Sequence, residues 1–198
     1  MDIIKAIASE LNVRNGQVEA AVKLIDEGCT IPFISRYRKE ATGALNDEQL
    51  RNLDERLKYL RNLEDKKVQV LASIEEQGML TEELKSRIEK AETMVAVDDL
   101  YRPYRPKRRT RATIAKEKGL EPLANVILLQ MTKEPILKTA QEYVSEEKDV
   151  KSAEDALAGA MDIIAESVSD NADYRTRIRE ITFKEGVLLS TAKDAETK

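Results

Sequence analysis

Histidine and tryptophan are absent from this sequence, and cysteine occurs once. Without histidine, no Ser-His or Cys-His catalytic pair can form, and no zinc site of the usual Cys/His type can be assembled. Cys29 has no second cysteine to bond with. It follows Gly28 at a helix end and reads as a small buried filler in preference to a nucleophile. Aromatic residues are only 4% of the chain, with 7 glycines and 5 prolines, so leucine, isoleucine, valine and alanine must do the packing. That composition suits helices and argues against a large sheet. No apolar run reaches the length of a membrane-spanning helix. The opening MDIIKAIASELN carries charges inside its apolar pattern and lacks a signal-peptide core. A cytoplasmic protein is expected, with no membrane partner, metal or cofactor; no glycine-rich phosphate loop is present.

What is present is a long helical pattern. From Asn46 to Gly78, Leu50, Leu53, Leu57 and Leu60 recur at spacings of three and four and share one stripe. The stripe slips at Glu64 and Lys67, with Leu63, Val68 and Val70 filling in, and resumes at Leu71 and Ile74. Asn46 and Gln49 make a capping box, Asp47 and Glu48 suit the positive end of the helix dipole, and Gly78 provides a left-handed stop. Such a rod should be a spine against which other helices pack.

Residues 1–45 read as a helix-turn-helix-like tri-helical unit. Ile3, Ile4, Ile7 and Leu11 form one face, and Val18, Ala21, Val22 and Ile25 another. The second helix turns Gln17, Glu19, Lys23 and Glu27 outward. Its acids favour a packing unit over a base-reading helix, which needs Arg, Lys, Asn or Gln aimed at base edges. In TIPFISRYRKEATG, Pro32 starts a helix, Ile34, Tyr37 and Ala41 can face inward, and Arg36, Arg38 and Lys39 remain outward. Those three cations could hold phosphate, or form an ordinary solvated face.

The net charge is −4, but it is unevenly spread. Residues 101–118 hold eight cations and one acid, while the flanking segments are neutral or acidic. Local charge decides phosphate binding. Arg102, Arg105, Lys107, Arg108, Arg109 and Arg111 are interleaved with Tyr101 and Tyr104, and Pro103 and Pro106 should keep Arg102 and Arg105 extended. An extended basic segment with ring platforms suits single-stranded nucleic acid, phosphates pairing with arginine and bases stacking on tyrosine. The competing reading is an arginine-rich clasp, paired with acids of residues 79–100 or 119–198. Thr110 or Thr113 then starts a helix ending near Gly119.

The remainder is helical: Ile136, Leu137, Ala140 and Tyr143 form a stripe; Ser152 and Asp155 cap a helix with Leu157, Ala160, Met161, Ile164 and Val168 on one face. Ala158-Gly159-Ala160 would admit a close neighbour. Asp170 starts a last helix with Tyr174, Ile178 and Ile181 inward, then VLLST reads as extended and KDAETK as disordered; the unpaired apolar end suggests continuation into a longer chain. The expected fold is all-α: a multi-helix array with the helix-turn-helix-like unit (1–45) packed on one long central helix. Residues 46–118 contain the spine, short helices and basic segment, and 119–198 a C-terminal helical part. Asp98-Asp99 is the close carboxylate pair that directly precedes the basic segment, and neighbours on a helix point apart, which argues against acid-base catalysis.

Two runs, IPFISRYRKEATGALNDEQLRNLDERLKYLRNLE and DDLYRPYRPKRRTRATIAKEKGLEPLA, resemble the amino-terminal region of the Tex family, bacterial transcription accessory proteins. EDALAGAMDIIAESVSDNADYRTRIREITFKEGVLLS is similar to the helices that follow in that family. Arg102 departs from the family pattern, which has an apolar residue there. The resemblance implies a longer protein that continues into an RNase-H-like domain without a functional nuclease site, helix-hairpin-helix modules and a C-terminal OB-type RNA-binding domain. It supplies no catalytic residue. It implies a scaffold whose partner is RNA or single-stranded nucleic acid, held mainly by that terminal domain. Auxiliary phosphate contacts would come from the basic residues named above. The alternative is a protein-interaction module docking an acidic surface of the transcription machinery or of its own chain.

Overall fold

A computed structural model describes residues 2–191. Among these the fold is all-α, with a single antiparallel bridge between Ser145 and Val150 as its only β-type pairing. The chain divides into two compact units, Met1–Asp98 and Asp99–Lys198.

In the first unit α1 (Ile3–Leu11), α2 (Asn15–Asp26) and α3 (Ile31–Tyr37) pack on α4 (Asp47–Glu76), followed by α5 (Glu82–Lys90) and the start of α6 (Met94–Tyr101). The spine forms as its sequence dictates. Asn46 Oδ1 accepts from the Gln49 backbone at 2.8 Å, and Gln49 Oε1 accepts from the Asn46 backbone at 3.0 Å. The helix runs 30 residues, roughly 45 Å. It ends in a Schellman motif: Gly78, at φ +67°, donates to Glu75 at 2.8 Å, and Met79 donates to Ile74 at 3.2 Å. Only a residue without Cβ takes that left-handed position freely. Leu50, Leu53, Leu57, Leu60, Leu63, Val70 and Ile74 are buried along one side, each side chain contributing about 1.5–3 kcal/mol.

Two arginines of the spine fix the register of the short helices. Arg56 binds Glu10 of α1 through two bonds of 2.6 and 2.7 Å, and Arg61 binds Asp26 of α2 through two bonds of 2.7 and 2.8 Å. Paired guanidinium–carboxylate bonds specify geometry even where solvent weakens them. Gln17 of α2 donates to the carbonyl of Gly43 at 2.8 Å and of Thr42 at 3.3 Å. That glutamine ties α2 to the turn after α3, so it is a packing residue.

In the second unit α7 (Arg111–Glu117), α8 (Glu121–Leu129) and α9 (Ile136–Gln141) pack around α10 (Ala153–Asp170), with α11 (Ala172–Glu185) following. Its core is rich in alanine: Ala112, Ala115, Ala124, Ala140, Ala153, Ala156 and Ala160 surround Leu120, Leu123, Val150 and Ile163. Small side chains let helices approach closely, and Gly159 carries this furthest. A Cβ there would lie 2.4 Å from Leu120 Cδ1 and 3.3 Å from Ala115 Cβ.

Several expected inward residues face out. Val68 is exposed because Lys67, one position earlier, takes the seam. Helix α3 stops at Tyr37, not near Thr42, so Tyr37 and Ala41 turn to solvent and the buried residue of that turn is Thr42. On α10 the buried face runs Ala153–Ala156–Ala160–Ile163, leaving Met161 and Val168 exposed. The last helix is capped by Asn171, not Asp170; it buries no residue, and Tyr174, Ile178 and Ile181 are exposed. Residues 187–190 lack regular structure and are exposed; the KDAETK tail lies outside the described residues.

The slip in the leucine stripe has a defined repair. The buried Lys67 ammonium donates to Glu64 Oε1 at 2.8 Å and to the Glu89 carbonyl at 2.9 Å. It thereby ties the spine to the end of α5. Burial alone would raise the Glu64 carboxyl, yet it is held below its ordinary range, and the hydrogen bond from the Lys67 ammonium is the largest of the effects that lower it. Removing the ammonium leaves a carbonyl without its donor. Lys67→Ala is expected to lower unfolding free energy by about 2 kcal/mol in denaturant titrations followed by circular dichroism. A change within experimental error would show that the bond to α5 carries no weight.

Candidate nucleic-acid interface

The basic segment begins inside helix. Tyr101 ends α6 with helical backbone angles, and Arg102–Tyr104 continue as one 3-10 turn. Arg102 is therefore not extended. The 3-10 turn accepts Pro103 early in its span, where a missing N–H costs nothing. Arg105 is extended, as the following Pro106 requires. From there to Thr110 the backbone has no regular structure.

Two acids on α10, one helical turn apart, hold this segment. Asp170 is mostly buried and accepts from Arg102 Nε at 2.9 Å and from the Lys107 ammonium. Glu166 lies 3.5 Å from Lys107 Nζ and accepts from the Thr110 hydroxyl at 3.0 Å. Thr110 in turn caps α7, accepting from the Thr113 backbone at 3.1 Å. Residues 102, 107 and 110 are thus three anchor points. A cleft of about 410 Å³ beside them is lined by Lys107, Lys116, Glu121, Asn125, Glu166 and Asp170, a mixture of signs that does not single out an anion.

The remaining cations differ. Arg109 pairs with Glu117 at 2.8 Å and Arg111 with Asp162 at 3.5 Å, both with largely exposed side chains. Arg105 and Arg108 are exposed and have no carboxylate partner among the described residues. Arg105 places its guanidinium 6.0 Å from the Tyr101 ring centroid. Tyr101 and Tyr104 are half-buried. The segment combines both arrangements considered for it: a clasp at Arg102 and Lys107, and open cations at Arg105 and Arg108.

Arg36, Arg38 and Lys39 belong to the first unit and are all exposed. None pairs with a carboxylate among the described residues.

Sequence reasoning missed the residue that fixes the start of the segment. Asp99 is buried near the end of α6 and accepts from Arg175 Nε at 2.6 Å and Arg179 Nη2 at 2.5 Å. Its neighbour Asp98 pairs instead with Lys66 at 3.3 Å. The signal was legible in part: arginines four apart on a helix share a face and can close on one carboxylate. What the sequence did not offer was the long-range pairing. Burial alone would raise the Asp99 carboxyl, but its two guanidinium partners outweigh it and hold the group below the ordinary aspartate range.

Two family models match the chain: the Tex-like protein N-terminal domain over residues 1–75 and the Tex central region-like model over residues 131–198. The basic segment lies between them. "Protein tex" of Bordetella pertussis is 50% identical over 188 residues, which is 95% of this chain and 24% of that protein. The transcriptional accessory protein Tex of Neisseria gonorrhoeae is 46% identical over 185 residues, 93% of this chain and 24% of that protein. A human S1 RNA-binding domain-containing protein is 24% identical over 192 residues, 96% of this chain and 19% of that protein. The chain thus spans about a quarter of the length of the bacterial relatives it matches.

With no buried side chain of its own, α11 depends on Asp99. A carboxyl whose pKa falls on folding adds stability above its unfolded value and loses it as pH drops through the folded value. Protection of the α11 amides should therefore be full at neutral pH and fall only in acid, below about pH 4. Asp99→Asn should bring that loss to neutral pH. Residues 172–185 are then expected to exchange amide hydrogens about tenfold faster, while α10 is unchanged. Equal exchange in both proteins would remove Asp99 as the tether.

Proposed function

The chain belongs to the Tex family of transcription accessory proteins, and from that membership we propose that it is a non-catalytic helical scaffold within an RNA-binding protein, adding phosphate contacts of its own through the basic segment. The observation that carries the phosphate contact is the exposure of Arg105 and Arg108 beside Tyr101 and Tyr104, on a backbone fixed at Arg102, Lys107 and Thr110. Anchoring matters because a preordered cation loses less freedom on meeting a phosphate than a mobile one. The ring beside Arg105 adds a surface on which a base can stack. A single strand can follow an irregular track of this kind, whereas the regular phosphate spacing of a duplex is matched by an array of cations. The RNA-binding part of the reading rests on the names of the relatives, one of which carries an S1 RNA-binding domain.

A protein-docking role for the same segment would use the same charges on an acidic surface. Titration of a labelled single-stranded RNA at several salt concentrations separates the two. The Arg105→Ala, Arg108→Ala double variant should bind more weakly, with the slope of log affinity against log salt reduced by about 1.4, two phosphates' worth of counterion release. Unaltered affinity and slope would exclude the segment from the RNA interface.

A further inference from the structure

The structure points to a second single-strand site, built on α3 in the first unit and independent of the basic segment. We propose that Phe33, Tyr37 and the cations Arg36, Arg38 and Lys39 form a stacking platform for the bases and phosphates of single-stranded nucleic acid.

Phe33 and Tyr37 lie one helical turn apart, with ring centroids 5.4 Å from each other and planes tilted by 45°. They are 38% and 66% exposed, in a chain that has only eight aromatic residues. Aromatic rings carry the largest apolar area of any side chain, and a folded domain short of them gains by burying those it has. Here two are left partly open to solvent on one short helix. The Arg38 guanidinium sits 5.6 Å from the Phe33 ring centroid. Ring, ring and guanidinium are therefore adjacent, with the two ring faces set at an angle to each other. Arg36 and Lys39, in the same run, are exposed too, and none of the three cations is neutralised by a carboxylate among the described residues. Glu40 is the one acid within the same run.

The platform is held rigidly from below. Ile34 is completely buried. The turn that follows closes on the cation-bearing residues themselves: Thr42 donates through its backbone N–H to the Arg38 carbonyl at 3.1 Å and through its hydroxyl at 3.2 Å, and Ala44 donates to the Lys39 carbonyl at 2.7 Å. Gln17 braces the turn through Gly43. Exposed rings on a fixed backbone, bordered by open cations, match the two requirements of single-strand binding: π-faces for bases and positive charge for phosphates. An acidic peptide would use the cations and leave the rings without work, which is why nucleic acid is the better match.

The test uses the 198-residue chain and a fluorescein-labelled oligo(U) of about 12 nucleotides, read by anisotropy at low salt. Tyr37→Ala should weaken binding about tenfold, and Tyr37→Phe, which keeps the ring, should stay within about twofold of the parent. The double variant Arg36→Gln, Lys39→Gln should weaken binding and flatten its salt dependence. All these positions are exposed, so circular dichroism should be unchanged. The Arg105→Ala, Arg108→Ala protein serves as a separate arm. If it alone loses affinity and Tyr37→Ala binds like the parent, the α3 platform is overturned while the basic segment stands; if only the α3 variants lose affinity, the platform stands and the basic segment does not. Equal losses for Tyr37→Ala and Tyr37→Phe would overturn stacking. So would displacement of oligo(U) by a polyglutamate peptide of equal charge, if Tyr37→Ala were without effect on either.

Discussion

Six cations between Arg102 and Arg111, with no acid among them, repel one another, and much of the second unit is arranged to relieve that repulsion. The relief comes from α10. Glu166 and Asp170 stand one turn apart on its last turns and take Arg102, Lys107 and Thr110 between them. Asp170 is mostly buried, so its bonds weigh more than the exposed pairs Arg109–Glu117 and Arg111–Asp162, for which about 0–1 kcal/mol is typical. The same device runs in reverse on the next helix. There, two arginines one turn apart, Arg175 and Arg179, close on the single buried acid Asp99. A helix that fully buries no side chain is thereby tied down through a buried charge.

The first unit solves a different problem. Its spine has a leucine stripe interrupted by Lys67, and the interruption is turned into a tie: the ammonium reaches both Glu64 and the carbonyl of Glu89. Arg56 and Arg61 then set α1 and α2 against the spine by paired bonds. With packing entrusted to leucine, isoleucine and alanine, the aromatic residues of α3 are not needed for the core, and two of them remain on the surface beside unneutralised cations.

What the sequence made legible follows from local physics. The spine, its capping box and its glycine stop depend on residues within a few positions of each other, and all are as expected. So are the caps at Thr110 and Ser152 and the close approach at Gly159. The misreadings concern which side of a short helix faces inward. On α10, two stripes compete, and the one lined with alanine is buried because small residues allow α7 to come close, leaving Met161 and Val168 outside. On α11, Tyr174, Ile178 and Ile181 have helical spacing but remain largely exposed. In the candidate interface, charge identified the segment, yet composition alone could not say which cations would be matched. That depended on pairings across more than sixty positions, such as Arg102 with Asp170.

The two cation clusters therefore differ in kind. In the basic segment, acids of the same unit take up the charge at Arg102 and Lys107, and what remains for a ligand is the pair Arg105 and Arg108 between the anchors. On α3 nothing is taken up, and the rings are open as well. A ligand that met only charge would be drawn to any such patch and released by salt. A ligand with flat bases would gain, at α3 above all, a contact that salt does not screen. A net charge of −4 over the whole chain works in the same direction, since it disfavours indiscriminate attraction of polyanions and leaves binding to the places where charge and ring coincide.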